Sequence, residues 1–129
     1  MRCLTCVMVL LAALSLAPVA PATAAETGVV RIVQDAIPHS AHNFVFAGDL
    51  GRFALDDDRD SSTPRVRVLT LDIAESPFVV RQVPNEARWP LVSLTCSDHE
   101  SVIDMARHTA TIHVKAGETI SCVWVNHRV

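Results

Sequence analysis

The sequence predicts an all-β fold: a single antiparallel β-sandwich of about seven strands, pinned by one disulfide. Three observations carry that prediction. After residue 28 apolar residues alternate with polar ones instead of recurring at helical spacing. The alternating segments are short and separated by turn residues at sandwich-like intervals. Beyond the first 24 residues, two of the four cysteines remain, Cys96 and Cys122, each in its own alternating segment. A barrel of similar strand count satisfies the same pattern.

The N-terminus indicates the compartment. Met1 and Arg2 form a short positive region, Cys3 to Ala17 an apolar run, and Ala22-Thr23-Ala24 the small-x-small pattern of a signal-peptidase site. Cleavage after Ala24 is expected, leaving one domain over residues 25–129. The run stops at Pro18, short of the roughly 20 residues of a membrane span, and no span is expected in the mature chain. Cys3 and Cys6 lie before or within the run, not after it, where a lipoprotein cysteine would stand.

Without the leader, ten basic residues face fourteen acidic ones, a net charge of −4 against −3 for the whole chain. A mildly acidic chain with no basic run does not suit nucleic acid or anionic membranes. The remaining even pair of cysteines in an exported chain reads as a disulfide, Cys96–Cys122, over two buried free thiols. Closing that loop stabilises the fold by about 3.5 kcal/mol in the chain-entropy model.

Val29 to Gln34 reads as the first strand. After the break at Pro38 to His42, Phe44 and Phe46 share one face of the second. Gly48 to Gly51 turns into Phe53 to Leu55, and Asp56 to Pro64 is the most polar stretch, read as a solvated loop. Arg65 to Val68 alternates, which predicts Val66 and Val68 inside and both arginines outside. Phe78 and Val80 point inward from the next strand, and the loop Pro84 to Arg88 delivers Trp89 and Leu91 to the core. Ser97 to His108 is polar enough to read as a loop, with one helical turn over Val102 to Ala106 as the alternative. Ala110, Ile112 and Val114 then face inward, and the turn Ala116-Gly117-Glu118 leads into Ile120 to Asn126. With Cys122 and Trp124 inside, Val123 and Val125 face outward as a candidate apolar edge for a partner.

Candidate sites are few. Asp56, Asp57, Asp58 and Asp60 supply the oxygen ligands that Ca²⁺ prefers, without the later Glu and central Gly of an EF-hand. His39 and His42 share a loop, and His108, His113 and His127 lie near consecutive strands, with no zinc-ligand spacing. No nucleophile elbow or triad context is present. The chain reads as non-enzymatic, with no cofactor.

The run Phe44-x-Phe46, Gly48-Asp-Leu, Phe53-x-Leu55-Asp-Asp-Asp58, Phe78-x-Val80, Trp89-x-Leu91, Leu94-x-Cys96-x-Asp98, Ala110-Thr-Ile112 and Ala116-Gly-Glu-Thr119-x-x-Cys122-x-Trp124-x-Asn126 resembles the SpaA-like prealbumin-fold modules of bacterial surface proteins. These are transthyretin-like sandwiches, Ig-like in architecture, related to the Cna-B-type domains of pilins and adhesins. Several members of that family join a first-strand lysine to a last-strand asparagine through an isopeptide bond promoted by a buried acid. The resemblance places the asparagine at Asn126, whereas Gln34 and Gln82 stand where the lysine and the acid are expected. The single lysine of the chain, Lys115, lies in a turn. With neither an amine nucleophile nor a carboxyl group to move protons, no isopeptide bond is predicted.

The resemblance implies a secreted module, extracellular or loosely surface-associated, with a structural or adhesive role towards an extracellular protein or envelope component. The chain stops three residues after Asn126 without a sorting motif, so wall attachment through it is not expected. The alternatives are a soluble exported protein binding metal or a small ligand through the acidic loop or histidines, and an inhibitor or effector.

Overall fold

The computed structural model describes residues 12, 13, 15, 25–59, 62–84 and 87–129. The expected leader falls outside the described residues except for three positions, and Asp60 falls outside them too. Among the described residues no helix is long and apolar enough to cross a membrane.

Nine strands form among the described residues: β1 Thr27–Ile37, β2 Ser40–Gly48, β3 Phe53–Asp57, β4 Val66–Asp72, β5 Phe78–Gln82, β6 Leu91–Cys96, β7 Val102–Asp104, β8 Thr109–Ile112 and β9 Thr119–His127. They make two sheets, ordered β4-β1-β9-β6 and β3-β2-β5-β8-β7. The core lies between the two sheets, which makes the fold a sandwich and not a barrel. All pairings are antiparallel except one: β1 and β9, the first strand and the last, run parallel from Val29↔Thr119 to Ile37↔His127.

Period-two alternation sets each inner face. Val30, Ile32 and Ala36 of β1 and Ile120, Cys122 and Trp124 of β9 are buried from one side. Phe44, Phe46, Leu55, Phe78, Val80, Ala110 and Ile112 meet them from the other. Aromatic edges lock the layers: Phe46 meets Trp124 edge-on at 5.2 Å and Phe44 meets Trp89 edge-on at 5.6 Å. Cys96 and Cys122 are cross-strand partners in β6 and β9, and their sulfurs are bonded.

Four expectations are corrected. Val102 to Ala106 holds no helical turn; β7 is a short strand beside β8, as suits two β-branched residues with an apolar sheet edge to join. The phase of β4 is opposite to that expected. Arg67 pairs with Ile32 and Leu69 with Val30, so Arg67, Leu69 and Leu71 take the inner face. Val68 is left 59 % exposed. Two leucines outweigh two valines here, and Arg67 is accommodated at the rim by laying its guanidinium 4.8 Å from the Phe53 ring centroid. The acidic stretch is no solvated loop at its start, because Asp56 and Asp57 belong to β3 and are buried. Finally, Val123 and Val125 form no edge: β9 is an interior strand, and both are half-buried on the outer face of its sheet.

Candidate functional site

Three buried amides meet between the sheets. Gln34 extends the inward alternation of Val30 and Ile32 along β1, and Gln82 extends that of Phe78 and Val80 along β5. Asn126 follows Cys122 and Trp124 on β9. All three are fully buried.

Their hydrogen bonds close on themselves. The Gln34 amide donates to Asn126 Oδ1 at 2.8 Å and to the Asp35 carbonyl at 3.0 Å. Gln82 Nε2 donates to Gln34 Oε1 at 2.9 Å and to Asn126 Oδ1 at 2.8 Å. Asn126 Nδ2 donates to Gln82 Oε1 and to the Trp89 carbonyl, both at 3.0 Å. Every amide N–H is thereby donated and every amide oxygen accepts, which is what a buried polar network needs to be stable. The sheets are joined through it, because Gln82 belongs to one and Gln34 and Asn126 to the other.

The chemistry open to this triad is narrow. Three carboxamides carry no charge and no nucleophile at neutral pH, so none can attack the Asn126 carbonyl or shuttle its proton. The triad supplies cohesion and register.

A charged cluster abuts it. Asp57, with 4 % of its side chain exposed, accepts the Ala36 N–H at 2.8 Å, His39 Nδ1 at 2.9 Å and Arg65 Nε at 3.1 Å. Arg65 Nε also donates to the Gln34 carbonyl. Burial by itself would raise the Asp57 carboxyl; the Ala36 N–H, the His39 hydrogen bond and the Arg65 charge more than offset that, so its pKa lies below the ordinary 3.8. Facing an ionised carboxylate, His39 Nδ1 carries the proton.

This cluster also takes up part of the acidic run. The Asp57 oxygens are taken by donors, Asp56 and Asp57 alternate across β3, and Asp60 lies outside the described residues. Of the histidines, His42 stacks on Trp89 at 5.8 Å and His39 is engaged by Asp57. Among the described residues no group of three His, Cys, Asp or Glu could hold a metal ion.

Asp57 had no legible signal, as one carboxylate in a run of four. No family model, curated protein or solved structure matches the chain.

Proposed function

We propose that the chain is a secreted, non-catalytic β-sandwich module of a bacterial exterior, of the prealbumin-like, SpaA-like kind, with a structural or adhesive role. One observation supports this above others. Gln34, Gln82 and Asn126, far apart in sequence, meet at one point of the core, and they are the three positions that the resemblance assigns to a lysine, an acid and an asparagine. In this reading a neutral hydrogen-bonded staple occupies the place of a covalent one, the Cys96–Cys122 disulfide is the remaining cross-link, and the module acts through its surface.

The test has two stages. The native protein is recovered separately from culture medium and washed envelope, and its intact mass is taken before and after reduction and alkylation. The expected species begins at Ala25 and takes two alkyl groups after reduction only. Purified chain 25–129 is then incubated with washed envelope in the presence of EDTA. Saturable retention is expected. A chain that retains stoichiometric Ca²⁺ or Zn²⁺ through purification and does not bind envelope would overturn the reading in favour of a soluble carrier.

A further inference from the structure

At the edge of the β5–β8 pair the surface folds into a concavity of about 480 Å³ lined by Arg81, Pro84, Ala106, Arg107, His108 and Thr109. That volume falls in the range of small-molecule sites, which combine apolar walls with a few converging polar groups. Here Pro84, Ala106 and the Thr109 methyl can supply the walls. Its ionisable groups are two guanidinium ions and an imidazole, with no carboxylate in the lining among the described residues, and the Thr109 hydroxyl is turned to the Arg107 carbonyl. On a chain of formal charge −3 this is a local inversion of sign, and such a concavity concentrates anions.

The arginines have capacity to spare. Arg81 projects from the outer face of β5, opposite Thr109, and enters no ion pair among the described residues. Arg107 approaches Asp104 at 3.8 Å with its side chain 83 % exposed, a separation too long for a strong hydrogen bond.

His108 is held firmly between them. Its φ of 54° is in the left-handed region, which few residues other than glycine adopt. The conformation is fixed by its carbonyl, which accepts from Trp124 Nε1 at 3.1 Å and from the Gln82 N–H at 3.0 Å, and by its own N–H, which donates to Met105 at 3.2 Å. Residues held in this way cluster at binding sites. His108 Nδ1 is buried without a hydrogen-bond partner. The other ring nitrogen, Nε2, is then the one left as a donor to a ligand.

We propose that this concavity is a binding site for a small organic oxyanion, a carboxylate or a phosphate monoester, held by Arg81 and Arg107 with His108 as a third donor. The inference rests on the geometry of this site and is independent of the envelope role above.

The test is a titration of ¹⁵N-labelled chain 25–129, disulfide intact, with benzoate and phenyl phosphate, against benzamide and phenol as uncharged controls. Both anions are expected to shift the amide resonances of residues 106–109 saturably, and the controls are not. Arg81→Gln and Arg107→Gln should each weaken binding roughly tenfold, the scale of one charge-assisted contact, with thermal midpoints unchanged. Tighter binding of one anion identifies carboxylate or phosphate as the natural group. Absence of saturable shifts at millimolar anion, equal binding of the uncharged controls, or affinity unaltered in both arginine variants would overturn the proposal.

Discussion

Truncating Gln82 to alanine should unfold this protein far more readily than its single amide suggests. The side chain donates two hydrogen bonds and accepts one. Without it, Gln34 Oε1 loses its donor and one Asn126 N–H loses its acceptor, while Asn126 Oδ1 keeps Gln34 and the other Asn126 N–H keeps the Trp89 carbonyl. Two buried polar atoms are stranded, each costing about 1–3 kcal/mol. The two together cost about 2–6 kcal/mol and the void left behind adds to this, so the loss is at least about 3 kcal/mol, a large share of a typical stability of about 5–15 kcal/mol. Urea unfolding followed by tryptophan fluorescence measures it directly, since both tryptophans, Trp89 and Trp124, are buried next to the network. A cycle with Gln34→Leu and Gln82→Leu separates network from volume. Each single variant strands a partner of the other, so the double variant should cost less than the sum, by about 0.5–3 kcal/mol. A Gln82→Ala loss below about 1 kcal/mol, or additivity within about 0.5 kcal/mol, would refute the closed network.

Three other outcomes are expected. Because the Asp57 pKa is lowered on folding, its contribution is present above the ordinary 3.8 and is lost as pH falls below that towards the folded value; urea midpoints measured from about pH 6 to pH 2 should show this acid loss in the native chain and a flatter profile in Asp57→Asn, and equal slopes would count against the cluster. Replacing Cys96 and Cys122 together by alanine should cost about 3.5 kcal/mol through the reopened loop, read as a lower urea midpoint; an unchanged midpoint would contradict it. If the resemblance to isopeptide-bearing modules holds, the double variant Gln34→Lys, Gln82→Glu should form an amide between the introduced lysine and Asn126: the lysine amine attacks the Asn126 carboxamide carbon, the C–N bond to Nδ2 breaks, and ammonia leaves with a proton relayed by the new carboxyl group. Its intact mass should then be lower by one ammonia, and an unaltered mass in a folded variant would remove that support for the family.

Much of this architecture could be read along the chain, for a physical reason. Where one face of a strand is buried and the other solvated, period two is imposed on the sequence, so Phe44 with Phe46, Phe78 with Val80 and Ile120 with Cys122 and Trp124 declare their face. In β4 that imprint is blurred: apolar residues occupy both phases, and an edge strand tolerates Val68 outside. Asp57 was illegible for a different reason. The backbone N–H, histidine and arginine that compensate its burial come from elsewhere in the chain, and four near-consecutive aspartates do not reveal which of them is inside. Gln34 and Gln82 lie between these cases. Each continues an inward alternation with a polar residue, which marks a buried hydrogen-bond site, but only the fold brings the two to Asn126.

The parallel pairing of β1 with β9 has a mechanical side. Because the first and last strands run in the same direction as neighbours, Thr27 and His127 lie at opposite poles of the sandwich, on the order of 30 Å apart at about 3.3 Å per residue. Tension between those poles would pull the two strands past one another along their length. The ladder from Val29↔Thr119 to Ile37↔His127 would therefore be loaded in shear, its rungs sharing the force at once instead of opening one by one. Two further fastenings act on the same strand: the disulfide holds β9 to β6, and the amide triad holds it to both β1 and β5. Rupture under such a load is governed by the unfolding rate, so a pull along this axis would be opposed by the whole ladder at once.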